Sequence, residues 1–248
     1  LYKPFLLLAL VLAIFLTGCG PKQDPYKDMT AQQIYDKGKA AALRKNYSQA
    51  IKDFDTLEAR YPYGEYTDKG QLALIHAYAN GDEEASALAA ADRFIRMHPR
   101  HPNVDYAYYM KGVINFNENF SLAFQNLPLD RSMRDSTYAQ DSFDSFKVLV
   151  EKFPNSKYAP DAHKRMILLR EQLADHELHI AQYYQRQGAE LAAANRAGYL
   201  VNQYPQTRAV PEALDIMYTS YSDMGMKKEA NEALQVLKQN FPNYVVKK

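Results

Sequence analysis

Thr30 to Pro62, TAQQIYDKGKAAALRKNYSQAIKDFDTLEARYP, decides the fold. The stretch reads as two amphipathic helical segments followed by a stop. Gly38, Ala50 and Phe54 stand twelve and four residues apart, and Pro62 follows eight residues later. Small side chains at Gly38 and Ala50 let two antiparallel helices approach closely. Phe54 fills the space between them. Pro62 lacks a backbone donor and ends the second helix.

The same stop recurs along the chain. Tyr61-Pro62, His98-Pro99, Phe153-Pro154, Tyr204-Pro205 and Phe241-Pro242 place prolines 37, 55, 51 and 37 residues apart. Each pair closes an amphipathic segment, and no alternating run flanked by turn signals reads as a strand. These segments resemble tetratricopeptide repeats, helix-turn-helix units of about 34 residues with a small residue at position 8, Ala at 20, an aromatic at 24 and Pro at 32. Counted back from Pro62, Gly38, Ala50 and Phe54 take positions 8, 20 and 24. The second unit has Tyr78 at 11, Ala87 at 20 and Phe94 at 27. Phe146 keeps position 24 of the third and Ala193 position 20 of the fourth. The fifth is degenerate, with Ala230 at 20 but Tyr218 at 8 and Leu234 at 24. The third must carry an insertion, placed at Phe120 to Thr137, where Leu127-Pro128 and the charged string Asp130 to Asp135 fall. The fourth is expected to have a long first helix, from about Tyr158 to Arg186. The expectation is an all-α chain, a tetratricopeptide-repeat solenoid of about five helix pairs and about ten helices. Neighbouring pairs would complete one another's cores. Such a stack exposes a groove suited to extended peptides or partner helices.

The amino terminus carries a different signal. Phe5 to Leu16 is a run of twelve apolar residues behind Lys3 and Pro4. A bilayer span needs about 20 apolar residues, so the run fits a signal-peptide core. Leu16-Thr17-Gly18-Cys19 follows, and Cys19 is the single cysteine of the chain. The four residues resemble a bacterial lipobox, which implies a signal peptide over 1–18, cleavage before Cys19 and acylation of that residue. A secretory signal with an incidental or buried cysteine is the alternative. Gly20 stands where an inner-membrane lipoprotein usually has aspartate, which implies outer-membrane sorting. Residues 19–29 read as a lipidated flexible tether, since Gly20 to Asp28 is polar and rich in breakers. The chain opens on Leu1, and the expectation is a precursor with missing first residues or an unusual start codon.

Composition excludes several classes. The 30 basic and 29 acidic residues leave a net charge of +1, without a field to concentrate nucleic acid. A phosphate loop, HExxH, CxxC and GxSxG are all absent from the sequence. Asp53 and Asp55 point apart on a helix and make no acid/base pair. His98 and His101 flank Pro99, and His176 and His179 share a helix face with Asp175. The first pair has no obvious third ligand and the second could hold a metal; polar loop and exposed helix are the readings adopted. No catalytic residue, metal or cofactor is expected.

Longer strings narrow the resemblance. They are Arg60-Tyr61-Pro62-Tyr63-Gly64 with Tyr66, Asp92-Arg93-Phe94-Ile95-Arg96, and His101-Pro102-Asn103 with Asp105-Tyr106 and Tyr109 to Gly112. Asp130-Arg131-Ser132, Pro154 to Tyr158, Lys164-Arg165, Tyr183-Tyr184 and Asn195-Arg196 follow. In this order they look like the BamD family, tetratricopeptide-repeat lipoproteins of the outer-membrane β-barrel assembly machinery, over roughly Thr30 to Pro242. The resemblance implies a non-enzymatic protein on the periplasmic face of the outer membrane, anchored there by lipid. It implies repeats 1–3, residues 30–154, receiving the terminal signal of unfolded outer-membrane proteins. Repeats 4–5, residues 155–248, would dock on the barrel-forming subunit BamA. Accessory lipoproteins such as BamC and BamE are further implied partners. A pilus-secretin pilotin or an envelope scaffold is the competing reading, with a periplasmic metal hydrolase beyond it.

A barrel-protein signal is an extended, aromatic-rich strand ending in a carboxylate. Tyrosine faces and arginines suit it. Tyr35, Tyr63, Tyr66, Tyr106, Tyr109 and Arg93 are the candidate groove residues, with packing between repeats as the alternative. Arg196 is the candidate docking contact. Residues three and four away on its helix, Ala192, Ala193, Tyr199 and Leu200, give it no ion pair of helical spacing. Its charge therefore needs a partner from elsewhere, or solvent, and a carboxylate on BamA is the implied mate. Tyr183 and Tyr184 are the second docking candidates.

Overall fold

A computed structural model describes residues 24–120 and 136–246. Ten helices are present in this part, and no strand. They are α1 (Ala31–Leu43), α2 (Tyr47–Arg60), α3 (Glu65–Asn80), α4 (Glu84–Met97) and α5 (Val104–Asn119). After the insertion come α6 (Thr137–Lys152), α7 (Ala159–Arg186), α8 (Glu190–Gln203), α9 (Val210–Asp223) and α10 (Lys227–Asn240). The signal-peptide reading, Cys19, and the Leu127-Pro128 and Asp130 to Asp135 strings lie outside the described residues.

The prolines set the ends of α2, α4, α6, α8 and α10. Residues that precede proline are pushed out of the helical region. Tyr61, His98, Phe153, Tyr204 and Phe241 accordingly share one conformation, with φ between −128° and −132° and ψ between 53° and 75°. Each still donates its N–H to the carbonyl four residues back, at 2.8 Å every time. Side-chain caps mark the starts of α1 and α2, at Thr30 and Asn46. Thr30 and Gln33 form a reciprocal capping box, the Gln33 N–H donating to Thr30 Oγ1 and the Thr30 N–H to Gln33 Oε1.

The repeat register predicted from the sequence is what the packing uses. Position 20 is Ala50, Ala87, Ser142, Ala193 and Ala230, and all five are buried. A Cβ on Gly38 would lie 2.7 Å from Phe54 Cε1, so glycine is required where α1 crosses α2. Gly112 stands in the same relation to Phe146. Gly38 and Phe54 are 16 residues apart, Gly112 and Phe146 are 34 apart, so the third repeat holds 18 extra residues. A further position was read in the sequence only in the second unit, as Phe94 at 27. Five residues before each proline stand Leu57, Phe94, Leu149, Leu200 and Leu237, each at most 1% exposed. The degenerate fifth repeat keeps this position in Leu237, while Leu234 at position 24 is only partly buried.

The described chain falls into two compact units, divided at Gly70. In the first, Tyr26, Ile34 and Leu57 form a small core. Asp24 to Met29, assigned to the flexible tether from composition, are bound to this helix pair. Tyr26 is 4% exposed, Arg60 donates from Nη1 to the Tyr26 carbonyl at 2.9 Å and pairs with Asp24, and the Tyr61 hydroxyl donates to the Met29 carbonyl at 2.8 Å. The second unit has two clusters. Leu72, Ile75, Phe94 and Ile114 lie in one, and Phe146, Leu169, Leu200 and Ile216 in the other. The 28-residue α7 matches the long first helix expected of repeat four.

Candidate functional site

The six candidate groove residues are divided between the units. Tyr35, Tyr63 and Tyr66 belong to the first. Tyr35 from α1 meets Tyr66 of α3 at 5.9 Å between ring centroids and Phe54 at 6.1 Å. The Lys69 ammonium sits 5.4 Å from the Tyr66 ring, and Tyr63, in the turn before α3, is 88% exposed. This unit therefore offers a small aromatic surface, and the Lys69 ammonium beside it is paired with Glu65 at 2.5 Å.

Arg93, Tyr106 and Tyr109 belong to the second unit, where two tyrosines serve chiefly as packing. Tyr109 stacks on Tyr158 at 4.6 Å, and Tyr106 meets the same ring at 5.6 Å. The Tyr109 hydroxyl donates to Asp161 Oδ2 at 2.8 Å, and Arg165 Nε donates to the same oxygen at 2.6 Å. Burial raises the Tyr106 hydroxyl well above its ordinary value. Burial also raises Tyr109, helped by its bond to Asp161. Burial acts to raise the Asp161 carboxyl, but the hydrogen bonds from Arg165 and Tyr109 outweigh it and hold the group below the usual carboxylate value. Arg93 is half-buried on α4.

The docking candidates lie on α7 and α8. Tyr183 is 53% exposed and meets Tyr184 edge-on at 5.8 Å. Together with His176, His179, Ile180 and Arg186 they line a surface cavity of about 490 Å³. Arg196 has a partner after all. Its Nη1 lies 2.8 Å from Glu177 Oε2 on the preceding helix, and its guanidinium is 6.0 Å from the Tyr199 ring. The side chains are 37% and 13% exposed, respectively. The contact is an ion pair without hydrogen-bond geometry, since Glu177 Oε2 is buried and accepts no hydrogen bond. Helical spacing covers one helix only, so a partner 19 residues away on the neighbouring helix was invisible to it.

His98 and His101 are used for packing, and His176 and His179 line the surface cavity beside Tyr183. His98 and His101 set their rings 4.9 and 5.3 Å from Phe94. Among the described residues no group of three His, Cys, Asp or Glu side chains is placed to hold a metal. No described helix is long and apolar enough to cross a membrane.

Known proteins place this arrangement. The family described as YfiO, outer membrane lipoprotein, matches residues 27–237. The chain belongs to that family. It is 37% identical over 243 residues to a Neisseria meningitidis (serogroup A) protein named outer membrane protein assembly factor BamD, covering 96% of this chain and 91% of that one. Proteins of the same name from Xylella fastidiosa and Vibrio cholerae are 35% and 34% identical. The first covers 98% of this chain and 84% of its own, the second 91% and 93%.

Two groups in this family member escaped the sequence reading. Asp53, set aside because it points away from Asp55, is fully buried and gathers Tyr26, Gln49 and Lys37. Glu177 carries no motif at all. An acidic residue at an otherwise apolar helical position was the available signal for Asp53, and none marked Glu177.

Proposed function

We propose that this protein is a non-catalytic, lipid-anchored subunit of an outer-membrane β-barrel assembly machinery, acting on the periplasmic face of the membrane. The carrying observation is that assembly factors named BamD match more than nine-tenths of the chain. Acylation of Cys19 is the anchor. Each buried methylene contributes about 0.8 kcal/mol, so several acyl chains hold permanently.

Residues 30–154 receive unfolded outer-membrane proteins, and residues 155–248 dock on the barrel-forming subunit BamA, with BamC and BamE as accessory lipoproteins. The aromatic surface of Tyr35, Tyr63 and Tyr66 supports the first role. The exposed Tyr183 beside Tyr184, with a guanidinium edge still open on Arg196, supports the second. Arginine has five donors. One contact with Glu177 leaves several for a carboxylate on BamA.

A tagged copy, chemically crosslinked and recovered from solubilised outer membranes, tests the reading by mass spectrometry. Recovery of a barrel-forming subunit at near-equal stoichiometry is expected. Recovery of a secretin or of cell-wall proteins without that subunit would overturn it.

A further inference from the structure

A groove on the second unit holds a polar side chain that no described residue satisfies. It lies among α4, α5 and α6 and has a volume of about 420 Å³. Asn115 of α5 lines it and is 5% exposed. Its side-chain amide has no hydrogen-bond partner among the described residues. The amide lines the groove, so its donors and acceptor are open to an occupant that reaches in. The groove therefore suits a polar occupant.

Charge selects which one. Lys111 Nζ donates to Asp92 Oδ1 at 2.6 Å, so these two lining groups neutralise each other. Asp141 and Asp144 also line the groove, three residues apart on α6 and so on neighbouring positions of one helix face. Neither has an ion pair among the described residues. Asp144 accepts one hydrogen bond, from the Gln140 amide at 3.0 Å. Two exposed carboxylates thus stand beside a buried, unpaired amide. Leu88 and Val148 supply apolar lining from α4 and α6.

We infer that this groove takes an arginine side chain from a partner polypeptide. The aliphatic stem lies along Leu88 and Val148, as long basic side chains do on apolar surface. The guanidinium reaches the Asp141 and Asp144 carboxylates, and one further N–H meets the Asn115 amide oxygen. A planar head with five donors serves two carboxylates and an amide at once. An ammonium has three donors and no fixed fork. The site shares no residue with the six aromatic and arginine groove candidates or with Arg196, Tyr183 and Tyr184, so its test is separate from theirs.

The test uses the full chain in detergent micelles with labelled leucine and valine methyl groups. Acetyl-Ala-Arg-Ala-amide is titrated against it, and the Leu88 and Val148 methyl resonances are followed. Saturable shifts at both methyls are expected. The same peptide with citrulline in place of arginine should leave them unmoved. Asp141→Asn with Asp144→Asn should weaken binding about tenfold or more. Both sites are exposed, so folding is retained and is checked by circular dichroism. Asn115→Ala should weaken binding with the Leu88 and Val148 resonances otherwise in place. Equal shifts with the citrulline peptide, unchanged affinity in the double variant, or a crystal soaked with peptide that shows only water on Asn115 would each overturn the inference.

Discussion

The Tyr26 hydroxyl donates a 2.6 Å hydrogen bond to Asp53, a carboxylate with no solvent exposure. Gln49 Nε2 donates to the same oxygen at 2.7 Å, and Lys37 Nζ lies 3.6 Å from it and 3.9 Å from the centre of the Tyr26 ring. The other carboxylate oxygen, Oδ2, is buried without a hydrogen bond. Burial, then the bond to Asp53, raises the Tyr26 hydroxyl above its ordinary value. A segment read as a tether is in this way fastened to the first helix pair through a buried charge.

Tyr26→Phe keeps the ring and removes the donor. The Asp53 carboxylate then loses one of its few partners in a dry site. A loss of about 1–3 kcal/mol is expected in urea unfolding. Tyr26→Phe combined with Asp53→Leu should recover part of that loss, since no buried charge remains. An unchanged midpoint in the single variant would mean that water replaces the hydroxyl.

Cys19→Ser should leave the precursor uncleaved and without lipid. Incorporation of labelled palmitate into that variant would remove the anchor reading. Cys19 and Asp24 are five residues apart, a reach of at most about 18 Å. An acylated Cys19 thus keeps the bound Asp24 to Met29 segment close to the bilayer. A dye placed at Lys27 of the acylated protein should be quenched by labelled lipid in vesicles, and the unacylated variant should not.

Gly112→Ala should destabilise the second unit. The new methyl would intrude on the Phe146 ring, which is fully buried and cannot swing away. Overpacking of this kind outweighs the helix preference for alanine, for a net loss of about 1–2 kcal/mol. Gly112→Ala with Phe146→Leu should cost less than the sum of the single changes, and thermal unfolding measures all three. Strict additivity would show that the two positions do not meet.

How far the sequence carried differs from element to element. Helix ends were legible because proline acts on its own backbone and that of the residue before it. The Gly38, Ala50 and Phe54 register was legible because helix pairing needs small and large residues at fixed offsets. Asp53 and Glu177 were not, because each is defined by groups on other segments: Tyr26 is 27 residues from Asp53, and Arg196 is on the next helix from Glu177. Tyr106 and Tyr109 show a third case. Their residue type suits a groove and a packed seam equally, and their contact with the Tyr158 ring could not be read from their own positions.

Asp161 links the same seam to pH. Its folded carboxyl is held below the unfolded value, so its stabilising contribution is present above that value and is lost as pH falls through the folded one. Acid unfolding of Asp161→Asn should be less steep below about pH 4 than that of the parent. Identical acid profiles would place the acid sensitivity on other carboxylates.

Arg196 and Glu177 yield a prediction with two separable outcomes. Both side chains are partly exposed, so the pair itself contributes modestly to folding, on the order of 1 kcal/mol. Arg196→Ala removes the pair and any contact with BamA. Glu177→Gln removes the pair but keeps the guanidinium. If Arg196 docks, Arg196→Ala should cost about 2–5 kcal/mol of binding to the periplasmic domains of BamA. Glu177→Gln should then bind as well as the parent or better, because the freed guanidinium no longer divides its donors between two carboxylates. If Arg196 serves only the α7–α8 contact, both variants lower the unfolding midpoint alike and neither changes the affinity. Calorimetric titration of the three proteins, with unfolding measured in parallel, separates the cases. Equal affinities would move the docking energy to Tyr183 and Tyr184, where an exposed aromatic beside a 490 Å³ cavity is the other anchor this face provides.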